Sequence, residues 1–179
     1  MLARADKNID VTYRRCRAQP ETLGHILGLC QHTKGLRIKR HDEVKSLLGD
    51  RLRNKNKNEV FVEPTIKPGG SLYKPDLVIK NGERVLVVDV TVRYENKDYL
   101  AKAEEEKIEK YRPCLKALKK LFNASGGEIL PVVLGSRGTI TPNTEKVLKR
   151  LGIADNDIKT ILLNVLRSSI ELCNIFIDD

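Results

Sequence analysis

The segment Lys74 to Thr91, KPDLVIKNGERVLVVDVT, constrains this chain more than any other stretch. Two short apolar runs flank an Asn81-Gly82 pair, and that combination specifies a tight antiparallel hairpin. A hairpin folds the chain back on itself. Asp76, heading the first run, and Asp89, closing the run Val85 to Val88, are therefore expected at matching strand ends, although thirteen residues separate them. Aspartate is common at strand ends and turns for local reasons. Asp89 differs, because it follows four apolar residues and precedes Val90, so its strand reads as buried. A buried carboxylate needs a partner, and a metal ion is a good one. Paired carboxylates on adjacent strands, with lysines nearby, suit Mg²⁺ and a phosphodiester.

Charge points the same way. The chain of 179 residues carries a net +9, which favours a polyanionic partner. From Lys34 to Lys57, nine basic residues oppose three acidic ones, leaving +6 directly before the hairpin. Such a run is either a solvated helix face or a track for phosphates. Aromatic residues are few (five Tyr, three Phe, no Trp), which argues against a single-strand binder built on stacking platforms. There is no run of eighteen apolar residues and no apolar core of a signal peptide near the N-terminus. Cys16, Cys30, Cys114 and Cys173 show no disulfide framework, so a reducing, intracellular location is expected.

Periodicity predicts the remaining elements. A short helix is expected over 20–29, with Pro20 in its first turn. A basic connection follows from Lys34 to Arg40, then an amphipathic helix from His41 to Arg53, with Val44, Leu47, Leu48 and Leu52 on one face. Val60 to Val62 is a strand, and Lys67 to Ser71 a turn. Lys97 to Phe122 is a long helix that Pro113 should kink or split. Ile129 to Leu134 reads as a central strand because it is apolar throughout. Gly135 to Gly138 is a tight loop. Helices over Thr144–Leu151 and Asp157–Ile175 close the chain. Residues 1–15 read as a frayed end or a remnant of something longer. The fold class is α/β, with a mixed sheet of about four strands flanked by helices.

This order, with the phrases CRAQPETLGHILGLC, RIKRHDEV, KPDLVIKNG, VVDVTVRYE and KIEKY, resembles one family. It is the restriction-like endonuclease domain of the PD-(D/E)xK superfamily, with its preceding Cys/Cys/His/Cys knuckle, found in early-branching non-LTR retrotransposons that insert into ribosomal RNA genes. The resemblance covers roughly residues 13–140 and implies a restriction-endonuclease-like core. It places the tail and knuckle at 1–36 and the nuclease domain at 37–179. It implies that Asp76 and Asp89 bind Mg²⁺ or Mn²⁺. The superfamily lysine two residues after the second acid is Thr91 here, and the family supplies its lysine from the next helix. Lys107 is the match, with Lys110 one turn on as its substitute. Without the resemblance, Lys107 reads equally well as a surface lysine in a charged helix. Glu63 and Glu95 are further acids, either supporting the metal or salt-bridged at the surface. Arg40-His41 matches a basic-His pair read as a DNA contact, with an N-cap neighbourhood role as the alternative for His41. Arg37, Lys39 and Lys74 join it as expected DNA contacts.

The knuckle departs from its family pattern. Cys16, His25 and Cys30 match, but Tyr13 stands near the place of the first cysteine. A structural zinc site is closed by four ligands, so His32 or His41 would have to complete it. Without zinc, these residues simply pack. The expected activity is Mg²⁺-dependent nicking of one strand of duplex DNA, which primes reverse transcription. The expected partners are double-stranded DNA, with RNA and a reverse transcriptase domain absent from these residues. The chain is then a fragment, a truncated copy or a solitary gene, acting in the nucleus. Two rivals stand beside this reading: a structure-selective nuclease resembling Holliday-junction resolvases, and an inactive nucleic-acid-binding remnant.

Overall fold

The computed structural model describes residues 16, 17, 20, 22–54, 58–96 and 98–177. Tyr13, Lys55, Lys57 and Lys97, all used in the sequence reading, lie outside them. A single π-helical turn, His25–Leu29, precedes α1 (Lys34–Arg53), β1 (Asn58–Val62), β2 (Leu77–Asn81), β3 (Arg84–Arg93), α2 (Tyr99–Leu121), β4 (Gly126–Gly135), α3 (Pro142–Arg150) and α4 (Asp155–Ile177). The four strands form one sheet in the order β1-β2-β3-β4. The first three are antiparallel neighbours, and β4 runs parallel to β3 after the α2 crossover. This is the expected fold class.

The hairpin forms as the sequence demands, one residue out of place. Asn81 pairs with Arg84, so Gly82 and Glu83 make the two-residue turn. Gly82 takes a left-handed φ of 56° at the first turn position, where glycine bears that conformation without strain. β3 continues to Arg93, so Asp89 lies inside a long strand rather than at its end. The alternation of β3 feeds two cores. Val88 and Val90 pack with α1, α3 and α4 through Val44, Leu48, Leu148 and Val165. Val85 and Val87 pack on the opposite face against Tyr111, Cys114 and Leu118 of α2.

Three expectations change. Lys34 to Arg40 is not a connection but the first two turns of α1. Pro113 does not split α2, because it sits on the exposed side of a helix that runs unbroken past it. β4 is an edge strand, not a central one. Its apolar run reflects burial of both faces by helices, and the edge position tolerates Pro131, which has no backbone N–H to give to a further strand.

Candidate active site

Extending the β2–β3 register by one residue beyond the Leu77–Val88 pair sets Asp76 opposite Asp89. At this point β2 has ended while β3 continues, and the backbone of Val90 loses a strand partner. Side chains replace it. Asp76 Oδ2 accepts the Val90 N–H at 2.7 Å. His41 Nε2, from α1, lies 3.2 Å from the Val90 carbonyl oxygen and 3.2 Å from Asp76 Oδ2. Nδ1 of the same ring lies 3.1 Å from Asp42 Oδ1. The bond to Asp76, followed by its charge and that of Asp42, outweighs burial and lifts the His41 pKa to about 9. The ring is then an imidazolium at neutral pH, donating from both nitrogens.

Asp89 occupies the same face of β3 as Val85 and Val87, toward α2, and is 2% exposed. Lys107 Nζ, from α2, stands 2.5 Å from Asp89 Oδ2. It does so off hydrogen-bond geometry, so Oδ2 is a buried carboxylate oxygen without a hydrogen-bond donor. The Lys107 ammonium is the cation it meets here, and a carboxylate so placed has the oxygen chemistry that a metal ligand needs. Lys107 thus reaches the acid that Thr91, two residues along β3, does not serve. Tyr111 lies one turn further along α2, buried beside Asp89. Its hydroxyl donates to the Lys74 carbonyl at 3.2 Å, and its pKa is raised by burial and then by the neighbouring Asp89. Its place in KIEKY, four residues after Lys107, is the signal that would have found it.

The other expected residues divide. Glu63 does not join the carboxylates but bridges Lys45 and Lys74, whose ammonium groups hold its pKa down. Glu95 accepts from Ser136 Oγ at 3.2 Å and from the Arg137 N–H at 2.8 Å. Burial opposes its charge, yet the backbone N–H and the guanidinium of Arg137 help keep its pKa below the ordinary value. A Cβ on Gly135 would meet Glu95 Oε1 at 2.1 Å, so a larger residue there would push the Glu95 side chain out of its place. Lys110 is exposed and lies 4.6 Å above the Tyr111 ring. Lys39 and Lys74 are exposed and paired with Glu43 and Glu63. Arg40, expected at the surface, is 2% exposed and gives its Nη atoms to Ser169 Oγ and the Leu27 carbonyl. Arg37 likewise donates to the Gly28 and Cys30 carbonyls. Lys34, Arg37, His41, Thr91 and Lys107 line a cleft of about 430 Å³. A larger cleft of about 760 Å³ lies between the π turn and Tyr94–Tyr99, and neither Asp76 nor Asp89 lines either cleft.

The knuckle forms a second cluster. Ligand atoms of Cys16, His25 and Cys30 lie within 4.8 Å of one another, the Cys16 Sγ to His25 Nε2 distance being 3.1 Å. Two sulfur donors and an imidazole at this spacing could hold a metal ion. His32 is exposed and outside the group, and His41 is engaged with Asp76. Among the described residues this is the group of three that converges so tightly; Asp76, Asp89 and His41 do not.

No family model matches the chain. It is 34% identical over 150 residues to a "Retrovirus-related Pol polyprotein from type-1 retrotransposable element R2" of Popillia japonica, covering 79% of this chain and 30% of that protein. It is 30% identical over 164 residues to the corresponding type-2 element R2DM polyprotein of Drosophila melanogaster, covering 88% and 15%. The chain thus spans less than a third of either relative. Among solved structures, a phenuiviridae cap-snatching endonuclease aligns over 81% of this chain and 64% of its own, with 19% identity and a TM-score of 0.47.

Proposed function

The chain is homologous to the Pol polyproteins of R2 non-LTR retrotransposons, and on that premise we propose that it is a metal-dependent DNA endonuclease of the PD-(D/E)xK type, nicking one strand of a duplex. The observation that carries this reading is Asp89: a buried carboxylate with a hydrogen-bond-free oxygen, opposite Asp76 and against Lys107. A nuclease needs such a constellation, and a structural sheet does not.

Asp76 and Asp89 would hold Mg²⁺ or Mn²⁺. A divalent cation supplies positive charge at the scissile phosphate and makes water a stronger nucleophile at neutral pH. The chain's own groups do the rest. Lys107, its side chain 20% exposed, can leave Asp89 and stabilise charge gathering on the phosphate oxygens. Tyr111 fixes the Lys74 carbonyl, and with it the backbone leading into Asp76. Lys34 and Lys39 on α1 neutralise phosphates of the approaching duplex. Cys16, His25 and Cys30 hold zinc in this reading, and elemental analysis of the purified chain should find about one equivalent. A reverse transcriptase domain and RNA complete the assembly, in the nucleus.

The test is plasmid nicking with Mg²⁺, with EDTA, and with Asp89→Ala protein. Nicking that requires both the ion and Asp89 supports the proposal. A folded, DNA-binding chain that nicks nothing under any of these conditions would refute it as an autonomous enzyme.

A further inference from the structure

We propose that Lys45 and Lys74 form a phosphate-binding subsite beside Asp76, and that Glu63 fills it in the free chain as a stand-in for the phosphate. The occupant is a backbone phosphodiester of the duplex, neighbouring the one that is cut. The choice of DNA as occupant rests on the endonuclease reading, but the subsite is tested by binding alone.

Three residues from separate parts of the chain meet here. Lys45 lies on α1, Glu63 directly follows β1, and Lys74 lies on the segment entering β2. The two ammonium groups take different oxygens of the one carboxylate, Lys45 binding Oε1 and Lys74 binding Oε2. A phosphodiester also presents two anionic oxygens, so it can bridge the same two ammonium groups. The Glu63 N–H donates to the Asp76 carbonyl at 2.8 Å, which sets the pair next to that acid.

An ion pair near the surface is by itself ordinary. Two observations set this one apart. The first is Lys45, whose side chain is only 11% exposed and whose Nζ also donates to Asp42 Oδ1 at 2.8 Å. Asp42 therefore keeps the ammonium aimed at the subsite when Glu63 leaves. The second is the backbone of Glu63, which holds a left-handed φ of 47°. A non-glycine residue bears that conformation at a cost, and such strain collects where ligands bind. The Glu63 side chain is 34% exposed, so it has open solvent to swing into.

With Glu63 in place, the lysine pair is neutralised and draws little on distant DNA. An entering phosphate displaces the carboxylate, and both ammonium groups then meet the nucleic-acid backbone. The broken ion pairs weaken binding, so Glu63 acts against affinity and against duplexes that put no phosphate at this point.

The experiment measures binding of the full chain to a short fluorescent duplex by anisotropy, across a salt series with no divalent ion added. Glu63→Gln should tighten binding roughly 5- to 10-fold. Glu59→Gln removes the same charge from an exposed partner of Lys80 on β1, and should change affinity by less than about twofold. Lys45→Ala and Lys74→Ala should each lower the slope of log affinity against log salt by about 1. The gain from Glu63→Gln should vanish when both lysines are alanine, since no pair is left to release. Equal gains from Glu63→Gln and Glu59→Gln would reduce Glu63 to one more surface charge and overturn the proposal. So would a gain that survives loss of both lysines, or a slope that neither lysine changes. Should Lys45→Ala fail to fold, Lys74→Ala, with a side chain 57% exposed, carries the test with Glu63→Gln. Binding that follows these residues in a chain that nicks nothing would sink the endonuclease reading and leave the subsite intact. Nicking by a chain whose DNA binding ignores all three would do the reverse.

Discussion

The carboxylate site and the knuckle are both small clusters of ligand-type side chains, yet they are held in opposite ways. Asp76 and Asp89 are set opposite each other by the β2–β3 register, with hydrophobic cores on both faces of the sheet. Their spacing follows from the fold whether or not an ion is bound. Cys16, His25 and Cys30 come from one short stretch around a five-residue turn, and among the described residues only Ile26 joins Cys30 in their buried cluster, with Cys16 packed against it. Backbone hydrogen bonds and α1 side chains supply most of their remaining order. A site fixed by register can give up a ligand without losing its shape. A site fixed by local chain depends on its ligands and anchors for its shape.

The sharpest way to break that contrast is Asp89→Asn. Nicking should fall by on the order of a thousandfold, because a metal ligand is worth several kcal/mol in the transition state. The melting temperature should change by only a few degrees, since the amide removes a buried charge while Lys107, its side chain 20% exposed, can turn toward solvent. A large drop in stability would show that the carboxylates hold the sheet together, and the contrast would collapse. Arg40→Met probes the other side. It leaves the Leu27 carbonyl and Ser169 without their buried donor, and should cost about 3 kcal/mol by denaturant unfolding. Amide exchange should quicken around Leu27 to Cys30 and stay slow in β2 and β3.

His41 gives a smaller effect with a definite sign. Its folded pKa of about 9 lies above the unfolded value of 6.5, so its stabilisation is complete below about pH 6.5 and disappears as pH rises through 9. With a ring partly open to solvent, the loss should be on the order of 1–2 kcal/mol. It would be read as the difference between wild type and His41→Asn in urea midpoints from pH 6 to pH 10. The smallest effect belongs to Lys39→Ala on exposed α1. DNA binding should weaken a few-fold, and the slope of log affinity against log salt should fall by about 1. An unchanged slope would remove α1 from the DNA path.

Much of the carboxylate site was legible because short-range chemistry wrote it. Asn81-Gly82 announced the hairpin, and the hairpin paired the aspartates, with the turn displaced by one residue. Lys107 required the family resemblance, since nothing in AKAEEEKIEK distinguishes a reaching lysine from a solvated one. The basic run before the hairpin misled for a related reason. Arg37 and Arg40 look like their exposed neighbours in sequence, but their partners are knuckle carbonyls and a serine 129 residues away from Arg40. No local pattern reports a partner at that separation. β4 was assigned to the centre of the sheet because burial by helices on both faces leaves the same apolar run as burial between strands. His41 was read as a DNA contact because the end of β2 beside Val90, which gives the ring its task, is a property of strand length.

α1 carries a constraint on how such chains can change over generations. Arg37 grips the knuckle, Arg40 ties it to α4, and His41 meets Asp76, all within about one turn of a single helix. One residue inserted between Arg37 and His41 would rotate everything beyond it by about 100° and shift it by about 1.5 Å. Either the arginine or the histidine would then face the wrong way. Substitutions can accumulate along this helix one at a time, but its reading frame of contacts has no room for a gap, so lineages should vary in the letters between these residues and never in their number.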